Sequence, residues 1–305
     1  MIETSIVILT KNAGSEFDSV LEMIHKQKYD QVIEVIVIDS GSSDKTLEVA
    51  EKHEAIIHKI KPEDFGHGVT RNLGVRLAKG KFVCFITQDA LPKNDIWLSS
   101  MTDELRKEGV AAVYGKQLPK KDSTPMEDFF ICDKYRDKKI VRKFIEGKRM
   151  SMDDIHFSDR SSLLRRDLLV KYPYPEDLVL AEDQVWAKKM LEIGFAIVYE
   201  PLSEVYHSHN YSLVNAFRKW FDVGSAFTRI GKSESSTGFL LSKGLGYYGR
   251  ELSFLLRTHP IWIPYAIIYD FLKLLGYIVG KQERHMPNWL KIRLSIYNVH
   301  WKKFK

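Results

Sequence analysis

The sequence predicts an α/β protein: an open, mostly parallel sheet flanked by helices, with a helical C-terminal extension. Two observations lead there. In the first third of the chain, short β-branched runs alternate with segments of helical periodicity, the pattern of βαβ units and a parallel sheet. Beyond about Tyr211 no strand pattern returns, and the apolar spacing is helical to the end.

Strands are expected at 6–9, 32–38, 55–60 and 82–87, with a fifth at 111–114, because each is a mostly apolar run of strand length. Phe17, Val20, Leu21 and Ile24 recur at helical spacing behind Ser15, and Leu47, Val49 and Ala50 follow Asp44, a capping residue type. A third helix is expected at 69–78. Residues 120–155 break the rhythm with Lys120-Lys121-Asp122, Asp137-Lys138-Lys139 and Gly147-Lys148-Arg149, and read as a helical or loop insertion. The α/β pattern resumes with a strand at 161–164, a helix through Val185, Trp186, Ala187 and Leu191, and a strand at 195–199.

The 305 residues, 44% of them apolar, suit one large core or two modest ones. Cys84 and Cys132 are far apart and lack metal-ligand spacing, so a reducing compartment is expected and a disulfide framework is not. The N-terminus enters its first strand without the basic flank or cleavage site of a signal peptide, an argument for the cytoplasm. Net charge is +6; from Gly231 onward twelve Lys and Arg face four acids, so the positive surplus is C-terminal.

Two phosphate-binding signatures fail. Gly66 and Gly68 are followed by Arg71 where a dinucleotide fingerprint needs a third glycine, and Gly231-Lys232-Ser233 has Ala226 where a phosphate loop begins with glycine. What remains is a set of polar clusters at predicted strand ends, where an open parallel sheet gathers ligand contacts. Thr10-Lys11-Asn12 follows the first strand. Asp39 opens Ser40-Gly41-Ser42-Ser43-Asp44 after the second, suited to a nucleobase N–H or ribose hydroxyl, or to a turn and helix cap. Residues 65–72 set two glycines, Arg71 and Asn72 at a helix start, fitting a diphosphate or an ordinary solvated helix end. Asp89 follows the buried fourth run and Thr87-Gln88, where a carboxylate can hold a divalent cation against a diphosphate. Glu182 and Asp183 open a helix, as general-base chemistry or the helix dipole alone would favour. His207 and His209 share one side of an extended segment, as metal or phosphate contacts or as a polar turn.

Phe65-Gly66-His67-Gly68-Val69-Thr70-Arg71-Asn72, taken with Thr87-Gln88-Asp89-Ala90, resembles the nucleotide-sugar-dependent glycosyltransferases of family 2, and among them the rhamnosyltransferase branch. The resemblance covers about the first 220 residues. It implies the GT-A fold with its Rossmann-like sheet, and transfer of a sugar from a nucleoside diphosphate, dTDP-L-rhamnose in this branch, with inversion at the anomeric carbon. It implies Mg²⁺ or Mn²⁺ held by Asp89, since the Asp-x-Asp motif of the fold maps onto Thr87-Gln88-Asp89 with threonine for the first acid. It assigns Asp183 as the base that takes the acceptor's proton, Glu182 as a neighbour of the acceptor or of that base, and His207 as a contact to the cation or diphosphate. Thr10, Lys11, Asp39, Arg71, Asn72, Gln88 and Asp89 would then line the donor site.

The C-terminal runs at 261–269 and 271–279 are together nearly long enough to cross a membrane, but Asp270, Lys273 and Pro264 make a lipid-exposed span costly. Aromatic residues and surrounding cations suit helices lying on an anionic leaflet; packing on the catalytic domain or a dimer contact is the alternative. Two domains are therefore expected, a nucleotide-sugar-binding catalytic domain at 1–220 and a helical, basic, membrane-associating region at 221–305. The partners implied are a nucleoside-diphosphate sugar, a lipid-linked oligosaccharide acceptor and the inner face of the cell membrane. Nucleic acid is not expected, because the cations interleave with aliphatic runs. Rival chemistries are a UDP-hexose or UDP-N-acetylhexosamine donor, and a sugar nucleotidyltransferase, whose glycine-rich loop after strand one is missing from Leu9-Thr10-Lys11-Asn12-Ala13.

Overall fold

The computed structural model describes residues 2–147, 150–230 and 237–303; Lys148, Arg149 and the Gly231-Lys232-Ser233 run lie outside the described residues. The chain divides into two compact units. The first holds Met1–Leu118, Tyr135–Asp177 and Glu182–His207, and the second holds Pro119–Lys134, Leu178–Ala181 and Ser208–Lys305.

The first unit is built on nine strands: β1 (Thr4–Thr10), β2 (Ile33–Asp39), β3 (Ile56–Lys59), β4 (Phe82–Ile86), β5 (Leu91–Pro92), β6 (Val110–Leu118), β7 (Ile140–Arg142), β8 (Ser161–Arg165) and β9 (Ala196–Tyr206). Their order is β3-β2-β1-β4-β8-β6-β9-β5, with β7 on β9. The first four are parallel, β8 runs against both β4 and β6, and β9 is parallel to β6. With β5 and β7 antiparallel to β9, six of the nine strands share one direction, the mostly parallel sheet expected. Its central strands are buried on both faces, which is why they read as unbroken apolar runs: Ile6, Val7, Ile8, Val37, Ile38 and Val83 are wholly inaccessible.

Helices α1 (Glu16–His25), α2 (Thr46–Lys52), α3 (His67–Leu77) and α4 (Trp97–Leu105) flank this sheet, as do α6 (Arg166–Lys171) and α7 (Glu182–Glu192). Phe17, Val20, Leu21 and Ile24 are the buried stripe of α1, as their spacing requires. Asp44 stands two residues before α2; its carboxylate accepts the Thr46 amide at 3.0 Å and the Gly14 amide at 3.1 Å, starting the helix and tying it to the loop after β1. The unexpected elements are β5 and β7. Two or three residues long, they take their strand geometry from β9 and carry no periodicity of their own.

The second unit is helical: α5 (Pro125–Lys134), α8 (Leu213–Ile230), α9 (Thr237–Thr258), α10 (Ile263–Gly280), α11 (Asn288–Leu294) and α12 (Asn298–Lys302). No strand follows Tyr206 among the described residues. The backbones of α8 and α10 touch at Gly276, where a β-carbon would sit 2.3 Å from the Phe217 carbonyl oxygen. Asp222 of α8, fully buried, accepts the Ile296 amide at 3.0 Å and so anchors the loop before α12.

Candidate active site

The register Thr10↔Asp39 brings the ends of β1 and β2 level, and their loops are laced together. Asp39 accepts the Thr10 hydroxyl at 3.0 Å, the Gly41 and Ser42 amides at 2.9 Å each, and the Ser42 hydroxyl. Burial pushes its carboxyl up, but these bonds outweigh it and hold the group below the usual carboxylate range. Across the gap, Asn12 accepts the Ser43 amide at 2.8 Å and donates its own amide to Ser42 Oγ. Asp39 is thus first of all the organiser of its turn.

Gln88 reaches back from beyond β4 to Lys11, its Oε1 accepting the Lys11 amide at 2.8 Å and its Nε2 donating to the Lys11 carbonyl at 3.3 Å. The Gln88 amide thus clamps the loop after β1. Thr87 Oγ1 is buried with no hydrogen-bond partner among the described residues. Asp89, next but one, turns toward His207, with Oδ1 3.6 Å from Nε2. The other ring nitrogen of His207, Nδ1, lies 3.1 Å from Gln117 Oε1, while Gln117 Nε2 donates to Tyr135 Oη at 2.5 Å and Ser158 Oγ at 3.3 Å. Gln117 thus holds the ring by its Nδ1 side and leaves Nε2 as the nitrogen that faces Asp89. A carboxylate and an oriented imidazole are a donor pair that fits a divalent cation. His209 is half-buried and belongs to the second unit.

Arg71 and Asn72 are held by protein groups. Arg71 is 8% exposed: its Nη1 bonds Glu182 Oε1, its Nε lies 3.3 Å from Asp159 Oδ2, and it sits 5.7 Å from the centre of the Phe85 ring. Asn72 is also turned inward, its amide donating to the Tyr174 carbonyl and to Glu176, each at 2.9 Å, and accepting the Tyr174 amide at 3.0 Å. Gly68 completes this latch, since a β-carbon there would come within 2.1 Å of the Pro175 carbonyl oxygen. The cluster at 65–72 is therefore an internal fastening of α3 to the 174–176 segment and to the acids of α7. An isolated sequence cannot tell a helix start that faces solvent from one that faces the core.

Glu182 is 3% exposed and bonds Arg71. Asp183, the next residue, is half-buried and reachable. Its Oδ2 accepts the Asp159 amide at 3.3 Å and its Oδ1 the Gln184 amide at 2.8 Å. Burial raises the pKa of Asp183, and the neighbouring Glu182 carboxylate raises it further, against the pull of Arg71. Asp159 is likewise raised by burial. It was not expected as a site residue. It precedes β8, whose start lies beside the end of β4: Thr87 donates to the Arg160 carbonyl at 3.2 Å. A connected path thus runs from Asp89 through His207, Gln117, Ser158 and Asp159 to Asp183, all at one end of the sheet. One end is an aspartate–histidine pair that could hold a cation, and the other is a carboxyl group whose pKa burial raises.

Comparison with known proteins gives a consistent result. The family described as Glycosyl transferase family 2 matches residues 5–172. The chain is 32% identical over 303 residues to the O-antigen chain rhamnosyltransferase RfbN of Salmonella typhimurium, covering 98% of this chain and 96% of that protein. It is 31% identical over 300 residues to the O-antigen chain rhamnosyltransferase WbaN of Salmonella anatum, covering 97% and 95%. Among solved structures, the mannosyltransferase PcManGT of Pyrobaculum calidifontis, in complex with GDP-Man and Mn²⁺, superposes with a TM-score of 0.60 at 16% identity, covering 91% of this chain and 85% of that one. S. aureus TarS in complex with UDP-GlcNAc superposes with a TM-score of 0.57 at 16% identity, covering 98% and 89%.

Proposed function

We propose a specific reaction for this chain, which belongs to glycosyl transferase family 2: inverting transfer of L-rhamnose from dTDP-L-rhamnose to a lipid-linked glycan in O-antigen-type polysaccharide synthesis. The observation that carries it is the Asp89-to-Asp183 path at the strand ends. Support for the sugar comes from near full-length similarity to two proteins named as O-antigen chain rhamnosyltransferases.

In this reading Asp183 is the catalytic base. Its raised pKa makes it a better proton acceptor than an ordinary carboxylate, and the amides of Asp159 and Gln184 fix its orientation. The acceptor hydroxyl gives its proton to Asp183 as its oxygen bonds the anomeric carbon, and the bond to the diphosphate breaks on the opposite face. Arg71 holds Glu182 and Asp159 in place around that base, a positioning role. Thr10, Lys11 and Asp39 border the nucleoside, and a base or ribose reaching Asp39 displaces the Ser42 hydroxyl from it. Asp89 and His207 would hold Mg²⁺ or Mn²⁺, which when bound neutralises charge growing on the leaving diphosphate. Because the acceptor is lipid-linked, the enzyme works at the inner membrane face.

The test is ligand-linked thermal stabilisation by dTDP, dTDP-L-rhamnose, UDP-glucose and UDP-N-acetylglucosamine, each with Mn²⁺ and with chelator. Stabilisation by the dTDP compounds, lost on chelation, is the expected result. Stabilisation by the UDP sugars alone would replace the donor.

A further inference from the structure

Helix α10 is inside out. Its charged residues, Asp270 and Lys273, are each 8% exposed and face the interior of the second unit. The Lys273 ammonium lies 2.9 Å from Asp270 Oδ1 and 5.3–5.9 Å from the ring centres of Tyr269, Trp220, Tyr247 and Phe130. The outward stripe is Ile267, Ile268, Phe271, Leu274, Leu275 and Ile278, on one helical face, with exposures from 37% to 64%. A helix bordering water has the reverse arrangement. Leu252 of α9 joins Ile267, Phe271 and Leu274 in lining a groove of about 230 Å³ beside this stripe.

The exposed charges of the segment that carries the stripe say what covers it. Between His259 and Lys303 the acids are Asp270 and Glu283, both buried, whereas Arg284, Arg293, Lys302 and Lys303 are exposed. Every exposed carboxylate-or-ammonium-type charge in that stretch is therefore positive. A bilayer crossing by α10 would carry the Asp270–Lys273 pair into hydrocarbon.

We infer that the outward stripe of α10 seats in the interfacial layer of a lipid leaflet, anionic because the exposed charges that follow the helix in the chain are cations, with the helix lying in the plane of the membrane. This rests on the reading that the acceptor is lipid-borne, and names the face that meets its membrane. The experiment is flotation of the full chain with vesicles of phosphatidylcholine, with and without phosphatidylglycerol, for wild type and for Ile267→Glu/Phe271→Glu. Wild type is expected to float with the anionic vesicles and to be released by high salt, and the double variant to bind roughly tenfold less or weaker. Should the double variant fold poorly, Arg293→Gln/Lys302→Gln is expected to bind anionic vesicles more weakly and with less salt dependence.

The proposal is overturned if wild type ignores anionic vesicles, if the variants bind as wild type does, or if wild type resists alkaline extraction as a spanning protein would. It is also overturned if, without lipid, wild type is a dimer that Ile267→Glu/Phe271→Glu dissociates. Stabilisation by dTDP, measured on the same preparations, reports the enzymatic reading separately: its loss with vesicle binding intact sinks that reading and not this one.

Discussion

As the proposed base, Asp183 meets two opposed demands: it would have to be ionised to accept a proton, yet burial and the Glu182 carboxylate disfavour ionisation. Turnover should therefore fall with decreasing pH through a limb above the ordinary carboxylate range, and a kcat–pH profile with saturating donor checks this. Arg71 supplies the counter-charge. Arg71→Met should destabilise the fold by about 3–5 kcal/mol, because it leaves two buried acids without their cation, and should move the limb of any residual activity to higher pH. If Arg71 were a diphosphate ligand, the same change would weaken donor binding and leave denaturant stability intact. At this scale the sequence was only half legible. Asp89, Asp183 and His207 are legible as polar residues at strand and helix ends, whereas the bonds of Arg71, Asn72, Gln88 and Glu182 to protein groups are a matter of side-chain direction that residue type does not encode. Asp159 falls between the insertion read at 120–155 and the strand expected at 161–164; its signal was an acid just before that strand.

The elements that were legible are those whose period reflects their own burial. Strands β1, β2 and β4 are continuous apolar runs because both faces are covered, and α1 shows its buried stripe directly. Strands β5 and β7 were not, because pairing with β9 creates them. Helix α8 offers a test at the same scale. Burial raises the Asp222 carboxyl to about 6, so the native state keeps a proton that the unfolded chain releases. The stability this group contributes is full below its unfolded pKa and lost as pH rises through about 6. Asp222→Asn should accordingly gain on wild type across that window, by about 3 kcal/mol at most, as two-state urea titrations at several pH values would reveal.

For the whole molecule, the first unit supplies a row of strand ends and the second an α10 whose exposed face is apolar and whose charged residues are buried. The cation site predicts that Asp89→Ala abolishes the chelator sensitivity of donor stabilisation and leaves the cation-free melting temperature within about 2 °C. The central claim is that one carboxylate at one end of the sheet takes the acceptor's proton. Turnover and dTDP affinity of Asp183→Asn, measured on one preparation with lipid-linked acceptor, test it most directly. The account predicts turnover lowered by roughly a thousandfold with affinity unchanged; turnover near that of wild type would contradict it.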